Sequence, residues 1–189
     1  LRVGLEKAGR LLPKQPDQET LNEVLDFIEQ RLRSWLREQD YRYDVVDAVL
    51  VERGHDPYLA YQTVRQFAPW VERPAWMDFL NAYARCVRIV RDYEGLLPLD
   101  PAGFVEPATR RLYEAYQTCQ AQVNKPKSTV TVDEFFTAFQ PMIEPINTFF
   151  DEVLVMTEDK KLRENRLALL QRIAALPSGI VDLSRVEGF

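Results

Sequence analysis

The chain has 189 residues, 46% of them hydrophobic and 28% charged, with 24 Lys+Arg against 29 Asp+Glu and a formal net charge of −5. That length fits one domain, or one domain with a piece of a neighbour, and it is enough to bury a core without staples. The balance excludes a disordered polyampholyte, no run approaches the ~20 apolar residues of a bilayer span, and no basic segment leads into an apolar stretch as in a secretory signal.

Helical spacing of apolar residues runs through nearly the whole chain. The opening Leu1, in place of Met, and a short helix over residues 2–12 read as the tail of a preceding domain. Pro13 and Pro16 make residues 1–16 a tail and linker, and residues 17–189 are expected to form the helical domain. Leu21, Val24, Leu25, Ile28, Leu32, Trp35 and Leu36 predict a long amphipathic helix over residues 18–38. Asp44 is the expected N-cap of a short helix through Val45, Val46, Val49 and Leu50 that closes near Gly54. Asp56-Pro57 reads as N-cap and first helical position of the next. Pro74 opens another, with Trp76, Phe79, Leu80, Tyr83, Val87 and Val90 as its stripe and Gly95 beyond its end.

Residues 96–103, with Pro98 and Pro101, read as a loop, followed by a helix over about 106–123. Asn124-Lys125-Pro126-Lys127-Ser128 is a polar, basic linker. Asp133 and Glu134 place acid in the first turn of a helix carrying Phe135, Phe136 and Phe139. Pro141 and Pro145 interrupt or kink the pattern, and helicity resumes through Ile146, Phe149, Phe150, Val153 and Leu154. Val153-Leu154-Val155-Met156 is the best strand candidate, yet its flanks favour a helix end. The last strong helix spans about 159–176, and Pro177-Ser178-Gly179 stops or bends it. No alternating strand pattern and no fixed-period repeat occurs. The expected class is all-α.

Residue types limit the chemistry further. The one histidine, His55, sits in a turn and reads as a surface residue, and Cys86 and Cys119 read as ordinary thiols. Seven scattered glycines make no phosphate cradle. Neighbouring carboxylates such as Asp151-Glu152 and Glu158-Asp159 diverge on a helix, and capping by Glu158 or Asp159 explains the second pair better than acid–base work. No catalytic or metal-ligating constellation is present, so the chain reads as a binding module.

Arginine is the conspicuous basic residue: 18 of the 24 cations are Arg. Its planar fork suits bidentate contacts to phosphate and base edges. Arg85, Arg88 and Arg91 step by three along one helix with Tyr83 and Tyr93 close by, and Arg163 and Arg166 do so on the last helix. A single Arg on a helical face more often solvates or pairs with Glu. The acidic net charge means that any RNA contact uses a local patch. The aromatic doublets and triplets, Phe149-Phe150 included, read as core rather than as stacking platforms.

The C-terminal third carries a long, ungapped motif: Phe149-Phe150-Asp151-Glu152-Val153-Leu154-Val155-Met156, then Glu158-Asp159, then Leu162-Arg163-Glu164-Asn165-Arg166-Leu167-Ala168-Leu169-Leu170. It resembles the end of the β subunit of bacterial glycyl-tRNA synthetase. Val181-Asp182-Leu183-Ser184-Arg185 is similar to the finish of that family. So are Asp26-Phe27-Ile28-Glu29-Gln30-Arg31-Leu32-Arg33 and Tyr41-Arg42-Tyr43-Asp44-Val45-Val46-Asp47-Ala48-Val49-Leu50. The chain departs from the family at Ala84 and Arg88, where Lys and Asn are usual, and at residues 176–181, where an apolar run is usual.

The resemblance implies a helical bundle, antiparallel, of the class seen in arginyl-tRNA synthetase-type anticodon-binding domains. It implies a part of a glycine–tRNA ligase that holds the anticodon arm of glycine tRNA. The catalytic site, with ATP and Mg, would lie elsewhere in the parent enzyme, and this chain alone would be non-catalytic and hold no cofactor or metal. Implied partners are the tRNA, the α subunit or α region and the remaining β domains, in the cytoplasm, with no membrane and no DNA. Glycine anticodons carry C at their second and third positions, so the site needs acceptors for an amine and donors for ring acceptors. Arg42, Tyr43, Arg85, Arg88, Arg163 and Arg166 are the expected phosphate and base contacts, with Asn147 and Asp151 reading base edges. The competing reading is a helical protein-interaction module without RNA binding.

Overall fold

Side-chain caps set where the helices begin. In a computed structural model that describes residues 1–189, Asp17 accepts from the Thr20 amide at 2.8 Å and opens α2 (Gln18–Glu38). Asp56 accepts from the Leu59 amide at 3.1 Å and opens α4 (Pro57–Val71). Asp159 does the same for Leu162 at 3.0 Å ahead of α9 (Lys160–Ala174). Thr131 and Glu134 cap each other reciprocally at the start of α7 (Val132–Phe139). Such caps each stabilise a helix by about 1 kcal/mol. The remaining helices are α1 (Arg2–Gly9), α3 (Tyr43–Arg53), α5 (Trp76–Val90), α6 (Pro107–Gln122) and α8 (Ile143–Glu152). The architecture is all-α, with no strand.

Several boundaries differ from expectation, each for a physical reason. The first helix ends at Gly9 rather than near residue 12: Leu11 and Leu12 donate to the Ala8 and Gly9 carbonyls in tighter turns, and Pro13 disfavours helical backbone at Leu12. Asp44 is not an N-cap: Arg42 holds the cap position and Asp44 lies inside the first turn of α3. Pro74 sits in the turn before α5, which starts at Trp76. Pro141 falls in a 3-10 turn (Gln140–Met142) between α7 and α8, and Pro145 occupies the first turn of α8, where a missing N–H is tolerated. Residues 153–156 are neither strand nor helix. The chain leaves α8 extended at Val153 and turns at Val155 and Met156, with Val153 and Val155 buried and Leu154 and Met156 exposed.

One continuous core of 44 buried residues begins at Leu36, so α1 and the front of α2 lie outside it. Its centre is aromatic: Phe67 and Trp70 of α4, Trp76 and Phe79 of α5 and Phe135 of α7 gather around Phe136, and Phe139 packs on Phe79 and Phe135. Helix α5 packs along α9 on one side and α8 on another, and α6 packs against α8.

Residues beyond α9 turn back across α3. Gly179, at φ +77°, makes the turn and gives its amide to Glu52 at 2.7 Å. The Asp182 amide bonds to the Ala48 carbonyl at 2.8 Å and the Glu187 amide to Asp44 at 2.9 Å. Burial works to raise the Asp44 carboxyl, but hydrogen bonds from Arg42, Glu187 and Val45 and the Arg42 charge outweigh it and hold it below the usual carboxylate range. The stability this supplies is present at neutral pH and is lost as pH falls through and below about 4. Asp44→Asn should therefore destabilise the domain at neutral pH and flatten its acid sensitivity, read by thermal melts at about pH 7 and about pH 3.

Candidate nucleic-acid interface

The eight side chains expected to touch RNA fall into three places. Arg42 and Tyr43 start α3. The Arg42 guanidinium grips Asp44 with two bonds, at 3.1 and 2.7 Å, and has Glu72 at 3.6 Å and Glu187 at 3.8 Å. Three carboxylates surround that cation, so its structure-bearing partners compete directly with a phosphate. Tyr43 is exposed beside it.

Arg163 and Arg166 brace the connection between α8 and α9. Arg163 donates to the Thr157 carbonyl at 2.7 Å. Arg166 is buried, donates to the Leu154 carbonyl at 2.9 Å and pairs with Glu106. Burial pushes the Glu106 carboxyl up, yet hydrogen bonds from its own amide and Thr109, with Arg166 alongside, hold it below the usual range. Neighbouring side chains of α9 act in the same sense. Asn165 exchanges two 2.8 Å bonds with the Asp100 backbone, Gln171 holds Leu97 and Gly95, and Arg172 donates to Leu97. The polar residues of this helix fasten the proline-rich loop to the bundle.

The third place is the exposed seam between α5 and α8, and it is the one where expected residues meet. The Arg85 guanidinium lies over the Phe150 ring, 4.4 Å from its centroid. It donates to Asn147 Oδ1 at 3.3 Å and stands 3.6 Å from Asp151. Arg88, one turn further along α5, is exposed, faces the Phe189 ring at 5.5 Å and makes no ion pair. Cation, aromatic plane, amide and carboxylate thus converge within one seam, with free hydrogen-bonding capacity turned to solvent. That set can stack a base, meet a phosphate and contact a base edge.

Sequence reasoning missed Phe150, which it assigned to the core with Phe149. Phe149 is fully buried, whereas Phe150 is half-buried. Consecutive helical residues lie about 100° apart, and α8 turns Phe149 fully into the core and Phe150 to its edge. The signal was available: Asn147, Phe150, Asp151 and Leu154 recur at the spacing of one helical face. Phe135, Phe136 and Phe139 are core, as expected. His55 is exposed. Cys86 and Cys119 are buried free thiols, pushed up by burial to about 12 and about 11.

A family model for the DALR anticodon binding domain matches residues 79–180. The chain belongs to that family. The matched stretch runs from within α5 through α9 and contains the whole Arg85 seam, while Arg42 and Tyr43 precede it. Relatives extend the likeness over almost the entire chain. It is 33% identical over 187 residues to the chloroplastic/mitochondrial glycine–tRNA ligase 2 of Arabidopsis thaliana, covering 98% of this chain and 17% of that protein. It is 33% identical over 167 residues to the glycine–tRNA ligase β subunit of Desulforudis audaxviator, covering 88% and 24%. It is 34% identical over 188 residues to the β subunit of Myxococcus xanthus, covering 96% and 25%. This DALR domain therefore spans about a quarter, or less, of the length of these relatives. None of its helices is long and apolar enough to cross a membrane.

Proposed function

We propose that this DALR domain binds the anticodon arm of glycine tRNA as one part of a glycine–tRNA ligase. The observation that carries the reading is the family match over residues 79–180, which encloses the seam where Arg85, Phe150, Asn147 and Asp151 meet. The names of the relatives support glycine as the amino acid. Catalysis, with ATP and Mg, belongs to a site elsewhere in the parent enzyme, on an α subunit or α region. The remaining β domains are further partners, and the enzyme works in the cytoplasm. Residues 17–189 form the binding domain and residues 1–16 its tail and linker.

Among the expected contacts, Arg85 and Arg88 act on RNA directly, with Asn147 and Asp151 beside them. Tyr43 is a free surface contact. Arg163 and Arg166 act chiefly by holding backbone and Arg42 by holding carboxylates, since these partners already occupy them.

Glycine tRNA should bind this chain more tightly than the same tRNA with its second and third anticodon bases changed. Affinity should fall as salt rises from low to moderate. Arg85→Ala should weaken the native tRNA by about tenfold while leaving the far-ultraviolet helical signal intact. Equal binding of both tRNAs, or an unchanged affinity for the variant, defeats the respective assignment.

A further inference from the structure

Asn147 and Asp151 lie one turn apart on α8, with Phe150 between them on the same stripe, Asp151 exposed and the other two half-buried. Arg85 uses only part of what these side chains offer. Its Nη1 takes Asn147 Oδ1, which leaves the Nδ2 amide of Asn147 free to donate. Its Nη2 approaches Asp151 Oδ1 alone, and the Asp151 side chain is 73% exposed, which leaves Oδ2 free to accept. A donor and an acceptor are therefore left over on the two side chains that flank the Arg85 guanidinium, which itself lies over the half-buried Phe150 ring.

We infer that this stripe is a seat for one unpaired base, and that Asp151 makes it selective for bases with an exocyclic amine beside a ring acceptor. The inference rests on the anticodon-arm reading above and deepens it. Cytosine presents a 4-amino donor next to the N3 acceptor, and adenine a 6-amino donor next to N1. Uracil and guanine reverse both groups. Asp151 accepting from the amine and Asn147 donating to the ring nitrogen fit the first pattern. A keto base would set its carbonyl oxygen against the Asp151 carboxylate and its ring N–H against the Asn147 amide, leaving both pairs unmatched. Phe150 and Arg85 stack the base whichever edge it carries.

The division of labour is testable in one set of titrations. The 189-residue chain is mixed with a glycine anticodon stem-loop RNA carrying C at the second and third positions, and with two loops carrying U at one position each. The native chain should lose about tenfold in affinity for one of the two U loops through this seat. Asp151→Asn presents an amide donor where the carboxylate accepted, and should erase or reverse that preference at the same position only. Phe150→Leu keeps the apolar volume without the ring, and should weaken all three loops alike with their ratios unchanged. Because Asp151 is a surface residue, its variant should keep the native helical signal and thermal midpoint. An Asp151→Asn chain that retains the full C over U preference, or loses affinity equally for every loop, overturns the seat and leaves the anticodon reading standing. A native chain that does not distinguish the loops removes the anticodon reading, and the seat with it.

Discussion

Replacing Phe136 by Ala is expected to lower stability by about 4 kcal/mol and the thermal midpoint by roughly 8–16 °C. The ring has no exposed surface. Five aromatic neighbours lie with centroids between 5.1 and 5.5 Å: Phe67, Trp70, Trp76, Phe79 and Phe135. Those neighbours come from three helices whose backbones are fixed by their own packing, so the void cannot collapse. The loss then combines transfer of a phenyl group with an unfilled cavity. Phe136→Leu fills most of the same volume and should cost about 1.5 kcal/mol or less. Thermal melts of the two variants side by side separate cavity from chemistry. A Phe136→Ala midpoint within a few degrees of the native one would mean that the aromatic centre is not what holds α4, α5 and α7 together.

Arg53→Met is expected to be comparably harmful, at about 3–5 kcal/mol, although it removes no apolar contact. Arg53 is 1% exposed, and its partners are neutral oxygens. It donates to Thr63 Oγ1 at 2.8 Å, the Lys127 carbonyl at 2.9 Å, the Val130 carbonyl at 2.7 Å and the Gly179 carbonyl at 3.2 Å. Burial draws its guanidinium below the ordinary value, with Glu52 acting in the opposite sense. Methionine would leave buried acceptors with nothing to accept, each worth about 1–3 kcal/mol. Arg53→Lys keeps the charge but replaces a three-armed fork by a point donor, so it should recover part of the loss and not all of it. Chemical denaturation of the three chains gives the ordering. Equal midpoints for Met and Arg at this position would show that water replaces the guanidinium without penalty.

The two cases mark what a sequence discloses. Caps at Asp56 and Asp159 were readable because capping is settled within four residues, and those at Asp17 and Thr131 obey the same local rule but went unread. Asp44 looked just as good by local rules and was misassigned, because Arg42 and the Glu187 amide, 143 residues away, compete for the same carboxylate. Arg166 entered the RNA list through its motif. Its partner Glu106 is 60 residues distant, and no local pattern announces the pair. The seam had a similar fate. Its members could be named from a resemblance, but Arg85 and Asn147 are 62 residues apart, and only the packing of α5 on α8 brings them into contact. Arg53 attracted no notice at all, since a helical arginine reads as solvated until the loop and turn that bury it are in place.

The return of the tail across α3 has a consequence for how the domain is made. Glu52 and Asp44 of that helix wait for amides 127 and 143 residues downstream, and Arg53 waits for a carbonyl at Gly179. A nascent chain leaving the ribosome therefore emerges with α3 present but with part of its polar surface still unmatched. The closing contacts join residues 126 to 143 positions apart, which makes the final docking step entropically slow and leaves a window in which a chaperone has something to hold. Loss of residues 178–189 would leave a domain missing its clasp rather than a slightly trimmed one.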